Sequence, residues 1–112
     1  MSSPTSRTLQ VLRREGYLAA VAEKWNPHSR THADLFGFAD VLAVREGVPV
    51  LALQATSASN HAARVRKARD LPAMRVWLAA GCAFEVWSWA KRKRRWAVRR
   101  QALTLADLLA VG

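Results

Sequence analysis

Phe36-Gly-Phe-Ala-Asp-Val-Leu-Ala-Val-Arg45 and Val48-Pro-Val-Leu-Ala-Leu-Gln-Ala55 are two near-continuous apolar runs on either side of Glu46-Gly47, and their pairing decides the fold. Runs of this kind predict strands covered on both faces, joined here as a hairpin. If the turn centres on Gly47, antiparallel partners have numbers with a constant sum. Val44 then faces Val50, Leu42 faces Ala52, and Asp40 faces Gln54. Opposed residues on one face sit about 5 Å apart at Cβ, close enough to share a cation. Asp40 is the only carboxylate in the run from Phe38 to Val44. A charge placed there costs free energy unless it is paired or bound to metal. The alternative is that Asp40 stands at the first position of its strand, solvated, and caps a turn. A register slip of one residue would move every side chain to the other face and break the pairing.

Working outward, Thr8 to Glu15 carries Leu9, Val11 and Leu12 ahead of Gly16, the pattern of a short helix with a glycine stop. Residues 1–6 read as a loose tail. Tyr17 to Trp25 reads as a strand, and Asn26 to Ala33 as a polar connection. After the hairpin, Ser57 or Ser59 caps a helix through Arg69. Pro72 starts a second helical stretch that runs to Ala80 and stops at Gly81. Ala83 to Ala90 and Trp96 to Leu103 predict a second hairpin across Lys91-Arg92-Lys93, and Thr104 caps a last helix through Ala110. The order α-β-β-β-α-β-β-α predicts an α/β (α+β) single domain, with a mixed sheet flanked by helices.

Eighteen Lys and Arg stand against eight Asp and Glu, a formal charge of +10, in a chain of 112 residues that is 51% hydrophobic. That excess attracts polyanions, nucleic acid first among them. A ribosomal or nucleoid-like coat protein, an acidic protein partner or an anionic membrane surface also fits the charge. No apolar run approaches the roughly 20 residues of a spanning helix, and the N-terminus has no signal-like apolar core, so a cytoplasmic protein without a membrane partner is expected. The single Cys82 cannot form an internal disulfide, and no Cys/His set has zinc-finger spacing. His28 and His32 are four apart but fall in the expected loop, where phosphate contact or solvation suits them better than a metal. His61, beside Asn60 near a helix start, is placed to touch phosphate or carry a proton.

Trp87-Ser-Trp-Ala-Lys-Arg-Lys-Arg-Arg-Trp96 interleaves indoles with a dense cationic turn. Lys91, Arg92, Lys93, Arg94 and Arg95 are expected to follow a phosphate backbone. Trp87 and Trp89, two apart on one strand face, are expected in the core. Trp96 is free to be either a core residue or a stacking platform for unpaired bases.

A helix, three antiparallel strands and a helix, with Asp40 on the second strand and Gln54-Ala55-Thr56 on the third, resembles the PD-(D/E)XK nuclease core. Its small Holliday-junction resolvase-like branch and short phage-encoded relatives are the nearest form. Arg13-Arg-Glu-Gly-Tyr17 followed by a strand is similar to how that branch begins, and the likeness covers roughly residues 7 to 90. The resemblance implies an αβββαβ restriction-endonuclease-like core, extended here by the C-terminal hairpin and helix. It implies a metal-dependent endonuclease acting on DNA (RNA is not excluded). Resolvase-like members commonly work as dimers; the sequence leaves a homodimer open and singles out no surface for one, the apolar helix with Leu105, Leu108 and Leu109 being one that could supply it.

By the same resemblance Asp40 is the principal ligand of Mg²⁺ or Mn²⁺. Gln54 acts through its side-chain oxygen, helped by the Ala55 carbonyl, and Glu23 is a further acid. The family lysine falls at Thr56, which carries no charge. Lys67 on the following helix is either its replacement or one more phosphate-facing residue among Arg64, Arg66 and Arg69. The first helix also has Thr5 and Arg7 where resolvase-like members carry an acid. A fold retained only for binding nucleic acid, and an interaction protein using its positive face, are the two other readings.

Overall fold

The computed structural model describes residues 3–109. In chain order these form α1 (Pro4–Arg14), β1 (Leu18–Val21), β2 (Lys24–Asn26), β3 (Thr31–Ala33), β4 (Val41–Val44) and β5 (Leu51–Ser57). A 3-10 turn (Ala58–Asn60) follows, then α2 (His61–Asp70), α3 (Pro72–Ala79), β6 (Ala83–Arg92), β7 (Arg95–Leu103) and α4 (Leu105–Leu109). Five strands make one mixed sheet in the order β1-β4-β5-β6-β7, and β2 and β3 form a separate hairpin. The chain is a single α+β domain.

The central hairpin has the register expected of a turn at Gly47. Leu42 pairs with Ala52, flanked by Val41 with Leu53 and Ala43 with Leu51. Gly47 sits at φ 83°, in the left-handed region that a side chain would strain, and Val48 N–H closes the turn on the Arg45 carbonyl. β1 pairs antiparallel with β4, whereas β5 runs parallel to β6 after the crossover through α2 and α3. Alternation along the strands divides the core in two. Leu12, Ala19, Val41, Ala43, Leu51, Leu53, Trp87 and Trp89 lie on the α1 face. Phe38, Ala52, Ala68, Met74, Leu78, Phe84, Val86 and Leu103 lie on the α2/α3 face. Trp87 and Trp89 are thus core residues, as their spacing predicted.

Several boundaries differ from expectation, each for a local reason. α1 begins at Pro4, because Ser3 accepts a hydrogen bond from Ser6 N–H and proline suits the first helical position. Residues 3–6 are therefore cap and helix rather than tail, and residues 1 and 2 lie outside the described residues. The helix ends in a Schellman-type stop, with Tyr17 N–H on the Leu12 carbonyl and Gly16 N–H on the Arg13 carbonyl. The expected strand from Tyr17 to Trp25 is split. β1 stops at Val21, and the polar stretch after it folds as the β2–β3 hairpin. There the Asn26 side chain accepts from His28 N–H at 3.0 Å, Arg30 takes φ 54°, and the Trp25 and His32 rings pack 4.9 Å apart.

β4 starts at Val41 rather than Phe36. Phe36 and Gly37 have φ 56° and 84°, and a Leu35–Ala39 bridge closes a tight turn ahead of the strand. α2 starts at His61, after the 3-10 turn, so neither Ser57 nor Ser59 caps it. Thr104 stands ahead of α4 as expected, but Asp107 does the capping: its Oδ2 accepts from both the N–H and the hydroxyl of Thr104. The expected last residue of that helix, Ala110, lies outside the described residues. Leu108 packs against the α2/α3-face core, leaving Leu105 and Leu109 as the exposed leucines of α4. Among the described residues no helix is long and apolar enough to cross a membrane.

Candidate active site and nucleic-acid interface

Asp40 immediately precedes β4: its carbonyl continues the β1 ladder by accepting from Ala22 N–H at 2.9 Å, whereas on the β5 side its N–H donates at 3.0 Å to the carbonyl of Leu53, the residue already opposite Val41. The residue is 8% exposed, so the solvated, turn-capping alternative does not hold. Both carboxylate oxygens accept from Ala55 N–H, at 3.3 and 3.2 Å. One N–H is thin compensation for a buried charge. Desolvation pushes the Asp40 carboxyl up to about 7, the Ala55 hydrogen bond opposes the rise, and the charges of Asp34 and Glu23 add to it. Arg64 pulls the other way.

The β4–β5 ladder stops one pair short of the expected Asp40–Gln54 pairing, and the Gln54 side chain is committed to Asp34, Phe38 and Arg64 rather than to Asp40. Its Nε2 donates to Asp34 Oδ2 at 2.6 Å and to the Phe38 carbonyl at 2.7 Å. Its Oε1 accepts from an Arg64 guanidinium N–H at 3.2 Å. Turning the amide over would set oxygen against two acceptors and nitrogen against a donor, so these partners select one orientation. The expectation that the Gln54 oxygen joins Asp40 at a cation therefore meets a competitor in Arg64. The Ala55 carbonyl is better placed. In an extended strand a residue's N–H and C=O point to the same side, and Ala55 N–H points at Asp40.

Arg64, rather than Lys67, is the cation that acts on Asp40; Lys67 is exposed one turn further along α2. His61 explains how α2 is aimed. Its ring is buried, with Nδ1 2.7 Å from Ser88 Oγ on β6 and Nε2 2.8 Å from Gln101 Oε1 on β7. Gln101 Oε1 can only accept, so Nε2 carries the proton and Nδ1 receives the Ser88 hydroxyl. This pins the first turn of α2 to both strands and sets Arg64, three residues on, over Gln54. Thr56 is buried and pairs with Ser88 across to β6. Glu23 lies between β1 and β2 with Oε1 3.9 Å from His32 Nδ1, and it reaches Asp40 through its field rather than by contact.

The donor set is chemically suited to a hard divalent ion. The Asp40 carboxylate and the Ala55 carbonyl are hard oxygen donors, and Asp34 and Glu23 supply negative charge that a cation would relieve. Among the described residues no three His, Cys, Asp or Glu side chains are grouped closely enough to hold a metal by themselves. An ion here would be held by one or two protein oxygens and keep much of its water, as Mg²⁺ commonly does.

The basic hairpin belongs to the same end of the sheet. β5 ends where Ser57 pairs with Trp89, and β6 continues through Arg92 before turning back. Three residues at about 3.3 Å each carry the ribbon about 10 Å past β5, at the end where Asp40, Gln54 and the start of α2 lie. Arg92 pairs directly with Arg95, and the connecting Lys93 and Arg94 both have positive φ, 47° and 68°. That is a type I′ turn built from residues that disfavour it. Among the described residues Lys91 to Arg95 and Arg99 make no ion pair. A pocket of about 260 Å³ lined by Ala58, Ser88, Arg92 and Arg99 lies between the ribbon and the start of α2.

Asp34 and His61 are the two residues whose part here was not read from the sequence. Asp34 is six residues from Asp40 across a turn, and Ser88 and Gln101 are 27 and 40 residues from His61. Comparison with known proteins adds nothing to this description. No family model, curated protein or solved structure matches the chain.

Proposed function

We propose that this chain is a divalent-cation-dependent nuclease of the PD-(D/E)XK type, hydrolysing phosphodiester bonds in DNA at Asp40. The observation that carries the reading is the buried, poorly compensated Asp40 carboxylate beside Asp34 and Arg64, at the end of the sheet over which the cationic ribbon projects. A carboxylate raised to about 7 by burial and by neighbouring acids favours either a proton or a metal ion. The strand arrangement supports the same reading. An antiparallel β1-β4-β5 unit followed by a helical crossover to a parallel strand agrees with the αβββαβ core the resemblance implies.

Asp40 and the Ala55 carbonyl would hold the ion, with Glu23 and Asp34 contributing charge. A bound Mg²⁺ or Mn²⁺ supplies polarisation of the phosphate and a more acidic water. Arg64 is positioned to take a phosphate oxygen, and Gln54 keeps Arg64 and Asp34 apart while binding both. The ribbon, with Lys91 to Arg95, holds the backbone by charge.

One observation favours a second reading, a nucleic-acid-binding module on the same fold. The Gln54 oxygen is turned to Arg64 and Thr56 stands where the family has lysine, so two catalytic contributions are missing from their usual places. Labelled duplex, flap and four-way-junction DNA, incubated with Mn²⁺ and either the wild type or Asp40→Asn, separates the two. Cleavage by the wild type that the variant lacks supports the nuclease. Equal inactivity of both, with tight salt-dependent binding, rejects it in favour of the binding module.

A further inference from the structure

The sheet face opposite Arg64 carries a second cationic groove, between α1 and β7. It has a volume of about 360 Å³, in the range of small-ligand clefts, and is lined by Arg7, Gln10, Arg14, Trp96 and Arg100, with Val98 and Trp89 among its apolar residues. Trp96 is the unusual member. The other two tryptophans of the β6–β7 hairpin are buried in the α1-face core, but Trp96 is 45% exposed and belongs to neither core cluster. The Arg7 guanidinium stacks on its ring, 3.4 Å from the centroid, which fixes the indole without enclosing it.

The cations here are left largely free. Arg100 is bidentate to Glu15 and also lies over the Trp87 ring. Among the described residues Arg7, Arg14 and Lys91 make no ion pair, and Arg7 Nε has no acceptor. Lys91 is the cross-strand partner of Trp96, so cations border the indole on the ribbon as well as on the helix. An open indole framed by unpaired guanidinium and ammonium groups offers one π-face for a base and several donors for the phosphates on either side of it. A duplex keeps its bases stacked on each other and has no face to give.

We infer that the α1–β7 groove binds unpaired nucleotides, with Trp96 as the stacking platform and Arg7, Arg14 and Lys91 as phosphate contacts. The inference rests on the nucleic-acid reading above but not on cleavage. It places a single strand on one face of the protruding ribbon while Asp40 and Arg64 lie on the other. The ligand class is a single-stranded polynucleotide; DNA and RNA share the base and phosphate chemistry.

Fluorescence anisotropy with labelled oligothymidylate, oligouridylate and a duplex of equal length tests it, in chelator to exclude turnover. Trp96→Ala is expected to weaken binding to the oligothymidylate about tenfold, the effect of losing one stacked base, and to change duplex binding less than twofold. Trp96→Phe should restore most of the loss. Cleavage by the wild type and by Trp96→Ala, scored separately with Mn²⁺ in place of chelator, keeps a failed nuclease reading distinguishable from a failed groove. Equal binding of the two single strands assigns the shared base and phosphate chemistry, whereas a preference between them shows that the groove also senses the sugar or the thymine methyl. A Trp96→Ala effect of equal size on duplex and single strand would reduce the groove to general charge and overturn the inference. So would an absent effect, or competition by polyglutamate as effective as by oligothymidylate.

Discussion

Replacing Asp40 by Asn should make the protein more stable, and by an amount that grows with pH. Burial raises the Asp40 carboxyl to about 7, against an ordinary value of about 3.9. In the unfolded chain the group gives up its proton near pH 4; in the folded chain it keeps that proton until about 7. Between the two the folded state binds more protons than the unfolded state, so stability falls as pH rises through this window. The contribution is fully present below about pH 4 and is lost above about pH 7. Three units at 1.36 kcal/mol each give about 4 kcal/mol.

Asparagine has nearly the same shape, keeps an oxygen for Ala55 N–H and does not titrate. The stability difference between variant and wild type should therefore increase by about 4 kcal/mol from pH 4 to pH 8. In a domain of this size that corresponds to a differential of roughly 15 °C or more in Tm. Thermal and urea melts followed by circular dichroism at unit pH steps, in chelator, measure it, and titrating groups remote from Asp40 cancel in the comparison. Adding Mn²⁺ at pH 8 should then stabilise the wild type and leave the asparagine variant unchanged, since only a ligand of the folded state shifts the melt. Parallel stability curves for the two proteins would refute the argument, because they would mean that Asp40 ionises as freely in the fold as in water.

Two further perturbations test the supports of the site. His61→Ala removes the link between α2 and both strands of the hairpin and strands the Ser88 hydroxyl and the Gln101 amide; a loss of about 3 kcal/mol in urea denaturation is expected, and a loss below about 1 kcal/mol would show that α2 is held by its apolar contacts alone. Lys93→Asn with Arg94→Gly supplies the residues a type I′ turn favours, so stability should rise by about 1–2 kcal/mol while duplex affinity falls and its log–log salt slope shrinks by about 2. An unchanged salt slope would take the ribbon tip out of the nucleic-acid contact.

Much of the fold was legible because its signals are local. Gly47 between two apolar runs set the register of β4 and β5, from Val41 opposite Leu53 to Ala43 opposite Leu51. Pro72 and Gly81 bounded α3, and the spacing of Trp87 and Trp89 announced a buried face. The failures also have local causes. Gly37 sits inside an apolar run that reads as strand, yet with Phe36 it forms a left-handed turn that delays β4 until Val41. The short β2–β3 hairpin has no apolar alternation to betray it, since none of its strand residues is buried.

The site divides along the same line. Asp40 stood out in the sequence as a lone carboxylate in an apolar strand, and the positive charge of the ribbon needed no structure to be seen. The partners of Gln54 did, because Asp34 and Arg64 reach it from a turn and from a helix, and only the packing of α2 against the sheet decides that the amide oxygen faces Arg64. The same holds for His61, whose two bonds cross 27 and 40 residues, and for Trp96, which stays exposed with Arg7 of α1 stacked on its ring. Pattern and turn chemistry act between neighbours in the chain and so can be read from it. Burial, hydrogen-bond choice and the side of the sheet on which a charge emerges are set by contacts between distant segments, which exist only once the chain has folded.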